Sequence, residues 1–516
     1  MRVKNSIKNT TAAIVSNILT ILIGLVAQAV FIKILGTEYL GINGLFTNII
    51  SMLGIVELGI GSAIVYNLYK PIANRDYETI KSLMNFYKKA YHIIALVVFI
   101  IGISIIPFLG YFIGKVTIDI NINLVYILFI IDIVCSYLLT YKRSLLYADQ
   151  KNYIINIIHM IYLVTLNISQ LLLLYITKNY YLYLGIKIIL RIIENVVITI
   201  IVNKKYSYLK EKNIKKLDKK IEKDIFQKVK ALFFHKIGSF IVLGTDNLII
   251  SRYLGIITVG LYSNYYMIIN ALNTLFSQAL TALTPSVGNL LVEKKTKKNF
   301  EVFRKVRFIN FWIATFTSVA LLIIMNSFIT FWIGEAYLLS NLVLITLVIN
   351  FFMTMMRNSY STFKEAAGIF HEDRYVPIIE SFVNIVASII LLKYFGLAGV
   401  FMGTIISGLI LWCYSYPRFV YKKLFCRSYL SYIKETISYI ILFILILIIS
   451  YKISNIYTFY NIWVQLLYNI IVSLIIPNII LLIIFYKNDN LKYYYRLFKK
   501  LVKKSWKQNK ILILLI

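Results

Sequence analysis

The sequence predicts an all-α integral membrane protein of about 14 transmembrane helices, arranged as two parallel six-span halves followed by two further C-terminal helices. Three observations predict it. Apolar segments succeed one another from Thr11 almost to the end of the 516-residue chain; 59% of residues are apolar, 15% are charged, and the mean hydropathy is +0.77. The basic residues concentrate in alternate connections. A strongly basic stretch, 203–230, separates six segments from the eight that follow. About 20 helical residues, rising ~1.5 Å each, cross a hydrocarbon layer roughly 30 Å thick, so segments of this length and number need a bilayer rather than a soluble core.

In chain order the predicted spans are 11–35, 42–68, 90–113, 122–140, 153–176, 181–202, 231–251, 257–290, 308–333, 337–356, 375–392, 396–417, 435–451 and 460–486. The first is too long for a signal-peptide core and lacks a small-residue cleavage site, so it reads as a span. The sixth carries Lys187 and Arg191 and the seventh carries Lys236; nearly every other base lies between spans. The corresponding divisions are an N-terminal six-helix half (1–202), a cytoplasmic linker (203–230), a second six-helix half (231–417), and two additional helices with a basic tail (418–516).

The formal charge of +33 invites a nucleic-acid reading, but its placement argues for a membrane. With the N-terminus inside, 46 of the 55 Lys and Arg residues lie in cytoplasmic tails and connections, while Lys33, Lys115, Lys178, Arg252, Lys393 and Lys452 lie opposite. This positive-inside bias places both termini in the cytoplasm of a multi-pass protein and gives an even number of spans. The same basic loops would attract anionic lipids of that leaflet. No nucleic-acid recognition motif accompanies the charge, and no nucleic-acid partner is expected. The linker has Ile214, Leu217, Ile221 and Ile225 at helical spacing; an amphipathic surface helix and a solvated linker are equal readings. Many of the 41 tyrosines stand near segment ends, where an apolar ring with a polar tip suits the interface. Cys135, Cys413 and Cys426 are scattered and suggest neither a disulfide framework nor a metal cluster.

A weak repeat links the halves. Leu35-Gly36 with Gly41 is echoed by Leu254-Gly255 with Gly260, at an offset of 219. The segments that follow end in Ser62 to Leu68 and Ser286 to Leu290, which both close on Asn-Leu, Asn67-Leu68 and Asn289-Leu290, with the offset changed by three. Glycine permits a tight turn and close helix approach at such corners. Parallel halves related by an axis along the membrane normal are a common membrane-protein plan.

Several stretches carry a family resemblance: Glu57 to Pro71 (ELGIGSAIVYNLYKP), Leu146 to Tyr153 (LYADQKNY), Phe234-His235-Lys236-Ile237-Gly238 followed by Thr245-Asp246-Asn247, and Gly260 to Tyr265 (GLYSNY). Over roughly residues 1–430 the chain resembles bacterial polysaccharide exporters of the Wzx-like oligosaccharide flippase family, within the superfamily that also holds multidrug exporters and lipid II flippases. The resemblance implies two six-helix bundles around a central cavity that opens alternately to each side of the bacterial cytoplasmic membrane. It also implies export of a polyprenyl-diphosphate-linked oligosaccharide for surface polymers, by a protein read here as a monomer without a cofactor.

Ionisable residues within spans are expensive in lipid and usually face a bundle interior or an aqueous path. Lys187, Arg191 and Glu194 share a helix face. They read as a cationic patch for diphosphate oriented by Glu194, or as an internal ion pair holding helices together. Arginine offers phosphate a fork of donors, lysine a compact charge. Lys236 would receive the head group near the cytoplasm or snorkel to the interface. Glu57 and Asp246 are candidates for charge pairing or a coupling cation; Asp132 and His159 have weaker claims. Asn67, Asn270 and Asn273 offer donors and acceptors to sugar, or polar helix contacts. No residue set has metal-ligand spacing. No Gly-rich nucleotide loop is present, so direct ATP hydrolysis is not expected. The rivals are multidrug-type export and a membrane glycosyltransferase or polymerase. Against the latter, the longest outer loop, near 114–121, holds Asp119 as its one acid.

Overall fold

A computed structural model of the protein describes residues 2–57, 60–114, 116–211, 214–292, 296–369 and 372–499, with the side chains of 2–15, 18, 62, 220, 228 and 230–243 outside that description. All regular structure among the described residues is helical. The first stretch runs α1 (Arg2–Leu35), α2 (Thr37–Leu53), α3 (Ile60–Asn74), α4 (Tyr77–Ile105), α5 (Leu109–Ile113), α6 (Ile122–Leu138), α7 (Tyr141–Ala148), α8 (Asn152–Thr177) and α9 (Tyr180–Lys205). Then come α10 (Lys219–Leu254), α11 (Ile256–Thr281), α12 (Thr284–Val292), α13 (Thr296–Trp332), α14 (Asn341–Ala366), α15 (Val376–Phe395) and α16 (Leu397–Ile410), which continues as a wider π-helical stretch over Leu411–Leu424. The last two are α17 (Tyr429–Ser454) and α18 (Ile462–Phe485). Helices that start at the water side are capped locally. Asp76, Asn121, Asn179, Ser428 and Asn461 each accept a bond from a backbone N–H of the following turn, supplying one of the donors a helix start leaves open.

Ten helices among the described residues are long and apolar enough to span a membrane, or 11 if α6 and α7, bent by 46°, count as one. The expected 14 is not reached by length and apolarity. α9 is 26 residues long but carries Lys187, Arg191 and Glu194 in its middle. α1 shows a shorter apolar run, Leu19–Leu35. α10 holds the partly described segment 231–243. The predicted second span is not continuous: α2 gives way to a 3-10 turn, Gly54–Glu57, before α3 resumes at Ile60. The linker is not a separate surface helix, since α10 begins at Lys219.

The chain forms two compact units: residues 1–267 with 374–407, and 268–373 with 408–516. This division differs from the linear halves of the sequence because α10 packs on α2, α3, α5 and α15 within the first unit. Lipid tails are as apolar as Leu, so apolar burial alone drives little helix association; close packing and polar bonds between helices set the positions. In the second unit α13 is the central helix, with Phe303, Phe308 and Phe311 fully buried. Phe311 meets Tyr439 of α17 at 4.3 Å and Phe308 meets Phe485 of α18 at 5.1 Å. Asn469 of α18 donates to Ile323 O and Ser327 Oγ at 3.1 and 2.8 Å.

In the first unit the two glycine corners of the sequence repeat meet each other. Gly36 and Gly255 have φ of 93° and 88°, a backbone that side chains disfavour. A Cβ on Gly41 would lie 2.0 Å from Ile256 O, and one on Gly260 would lie 2.3 Å from Thr37 O. Adding the repeat offset of 219 to Thr37 and Gly41 gives Ile256 and Gly260, so the contact is reciprocal. Behind the corners, Gln28 donates to Asn264 Oδ1 at 2.6 Å.

Candidate functional site

The 3-10 turn after α2 places Glu57 at a helix junction, where its Oε1 accepts the Tyr91 hydroxyl of α4 at 2.9 Å. Gly61 leaves room beside this pair: a Cβ there would stand 3.7 Å from Glu57 Oε1. Glu57 and Tyr91 open onto a cavity of about 700 Å³ within the first unit. Its walls include Tyr66 and Tyr69 of α3, Arg143, Ser144 and Tyr147 of α7, and Asn152 at the start of α8. The bend between α6 and α7 brings Arg143 to this cavity.

Arg143 also belongs to a charge network behind the cavity. Its Nη2 lies 3.2 Å from Glu194 Oε2 and donates to Asn195 Oδ1 at 2.7 Å. Arg191 Nη1 reaches the same Glu194 oxygen at 3.2 Å and its Nε reaches Asp132 Oδ1 at 3.5 Å. Lys187 Nζ is 2.9 Å from Asp132 Oδ2, and His159 Nδ1 is 2.9 Å from Glu194 Oε1. The Glu194 side chain is 0% exposed, so it is the buried hub of the network. Arg191 also lies over the Tyr162 ring at 4.6 Å, a favourable cation–π placement. Three bases face two carboxylates, leaving one surplus positive charge before His159 is counted.

The structure joins Lys187, Arg191 and Glu194, which share a helix face, to Asp132 and His159 on other helices, and adds Arg143, which lies between two predicted spans. Lys187 and Arg191 do not line the cavity; Arg143 does. Asn67 spends its amide on Ala63 O of its own helix at 2.8 Å and is not a lining residue. Asn270 is exposed and Asn273 half-buried; both belong to the second unit. The side chain of Lys236 lies outside the described residues. Asp246 of α10 stands beside Tyr262 and Tyr266 of α11. Its Oδ1 is buried without a hydrogen-bond partner among the described residues, and so is Asn384 Oδ1 on α15, the helix packed against α10.

The second unit contains a cluster that the sequence reading missed. Arg307 of α13 is 2% exposed and bonds Tyr360 Oη at 3.2 Å, Tyr421 Oη, and the Glu435 carboxylate of α17. Its partners lie 53, 114 and 128 residues away, so no local pattern announced it. Nearby, Asp373 pairs with Lys364 and accepts from Ser415 Oγ at 2.9 Å.

These helices, a polar cavity among them and buried charges define a multi-pass membrane protein. Residues 6–291 match the family described as polysaccharide biosynthesis protein, and the chain belongs to that family. No match was found among curated proteins. Among solved structures, the chain is similar to a lipid II flippase, MurJ, in an inward closed conformation, with a TM-score of 0.65 and 17% identity over 93% of this chain and 99% of that one. It is similar to an inward-facing multidrug resistance MATE family transporter of the MOP superfamily, with a TM-score of 0.58 and 16% identity over 76% and 91% of the two chains. A Vibrio cholerae MATE transporter, VcmN, gives a TM-score of 0.55 and 14% identity over 82% and 99%. At these identities the likeness is one of fold.

Proposed function

We propose that the protein is a flippase that exports a polyprenyl-diphosphate-linked oligosaccharide across the bacterial cytoplasmic membrane for surface polysaccharide synthesis. The observation that carries this reading is a polar cavity, lined by Glu57 and Arg143, within the helices of a chain of the polysaccharide biosynthesis family. Both termini are cytoplasmic, and two six-helix bundles, 1–202 and 231–417, alternate access. The reciprocal glycine corners close the outer side. Lys187, Arg191 and Lys236 serve the diphosphate, which exchanges for the Asp132 and Glu194 carboxylates that hold the first two. Asn270 and Asn273 bond the glycan on its way, as does Asn67 through its amide oxygen, its amide nitrogen being engaged by Ala63 O. Asp246, whose buried Oδ1 has no hydrogen-bond partner among the described residues, takes a coupling cation.

The test is transport of labelled lipid-linked oligosaccharide in proteoliposomes at matched protein levels. Arg191→Ala and Lys236→Ala are expected to impair flipping with insertion intact, and Arg191→Lys to restore part, because the planar fork is lost. Asp246→Asn is expected to change the cation or pH dependence of transport. Wild-type rates in both Arg191→Ala and Lys236→Ala would remove the cationic-patch mechanism. A second reading, export of amphipathic cations, is favoured by the Glu57 carboxylate among tyrosine rings. Drug efflux without lipid flipping would establish it, and sugar-chain lengthening without translocation would indicate a polymerase.

A further inference from the structure

We propose that the cavity between α3, α4 and α7 is a subsite for an uncharged sugar ring of the head group, separate from the place that takes the diphosphate. This rests on the flippase reading above and names what part of the substrate the cavity holds. The argument is one of charge and shape. Arg143 and Glu57 both line the cavity. Taken with the network behind it, three bases, Arg143, Arg191 and Lys187, stand against three carboxylates, Glu57, Asp132 and Glu194, so there is no surplus charge before His159 is counted. A diphosphate needs a surplus of positive charge and an organic cation a surplus of negative charge. A sugar hydroxyl pair needs neither: it donates to a carboxylate and accepts from a guanidinium, and an amide serves both roles. Asn152 supplies that amide, and its Oδ1 has no partner among the described residues.

The remaining wall is aromatic. Tyr66 and Tyr69 are three residues apart on α3 and therefore share a face. With Tyr147 of α7 they line the cavity and are 61%, 49% and 41% exposed. A tyrosine ring offers an apolar face to the C–H face of a pyranose and keeps a polar tip for its hydroxyls. The volume of about 700 Å³ falls in the range of small-molecule sites, roughly 300–1,000 Å³.

The experiment uses the full chain in nanodiscs with three probes: undecaprenyl diphosphate bearing one neutral hexose, the same lipid bearing a hexuronate, and undecaprenyl diphosphate without sugar. Dissociation constants are measured for each, alongside flipping of the same lipids in liposomes. The neutral hexose lipid is expected to bind more tightly than the sugar-free lipid. Tyr69→Ala and, separately, Tyr147→Ala are expected to weaken it about tenfold, with Tyr69→Phe close to wild type and sugar-free binding unchanged. Equal losses for both lipids, no loss for either, or a preference for the hexuronate would overturn the subsite. A wild-type protein that shows the sugar preference but flips no lipid would refute the flippase reading and leave the subsite standing.

Discussion

Replacing Gly41 by Ala tests whether the glycine corners are a moving closure. The new Cβ would stand 2.0 Å from the backbone oxygen of Ile256, an atom that no rotamer change can move aside. The corners must part by about 1 Å or more to restore ordinary contact, and overpacking of this kind costs about 1–3 kcal/mol. If the contact exists only in the closed conformation, that cost falls on this state alone. A midpoint of about 2 kcal/mol shifts the closed-to-open ratio roughly 30-fold. Ser263 is half-buried behind the corner and suits a reporter cysteine. With the three native cysteines replaced, Ser263→Cys is labelled by an impermeant maleimide added from the side assigned to the exterior. Gly41→Ala is expected to raise the labelling rate at least tenfold. Gly260→Ala is expected to do the same, because its Cβ would meet Thr37 O at 2.3 Å. Gly185→Ala is the control, since nothing lies within 4 Å of the added atom. Unchanged labelling in both corner variants, with folded protein at equal levels, would refute the closure.

Three further outcomes are expected. Glu194→Ala leaves Arg143 and Arg191 facing each other without their shared carboxylate; loss of one member of a buried pair costs about 3–5 kcal/mol, so the melting temperature in detergent falls by several degrees. Arg307→Met strands the Glu435 carboxylate and lowers the melting temperature similarly, while Arg307→Met with Glu435→Leu recovers part of the loss because no unpaired charge remains. Asp76, whose carboxyl is held below its ordinary range by bonds from the Thr79 hydroxyl and amide, stabilises the start of α4 above the usual carboxylate pKa of about 3.9. A depressed acid loses its contribution as pH falls through the folded-state value. Hydrogen-exchange protection of the Thr79 amide should therefore drop there, and Asp76→Ala should remove that dependence.

The apolar pattern located spans well where a helix is uniformly apolar: 153–176 against α8 at Asn152–Thr177, and 460–486 against α18 at Ile462–Phe485. It failed at interruptions. No proline marks the turn at Gly54–Glu57, and the glycines on either side read equally as packing residues. Helical spacing alone put Lys187, Arg191 and Glu194 on one face, because those residues are within two turns of each other. Arg143 was hidden by a bend whose direction depends on packing between α6 and α7. Asp373 falls between the predicted spans 337–356 and 375–392, yet it is 1% exposed and bonded to Lys364 and Ser415, partners set by tertiary contact.

The Arg307–Glu435 pair also has a consequence in time. Its two members are 128 residues apart, and chains grow at about 5–20 residues per second. The ribosome therefore spends roughly 6–26 s between making the guanidinium and making its carboxylate. Throughout that interval the guanidinium can be met by Tyr360 and then Tyr421, but not by Glu435. A premature stop before α17 makes the condition permanent: the truncated chain keeps Arg307 with its tyrosines and without Glu435.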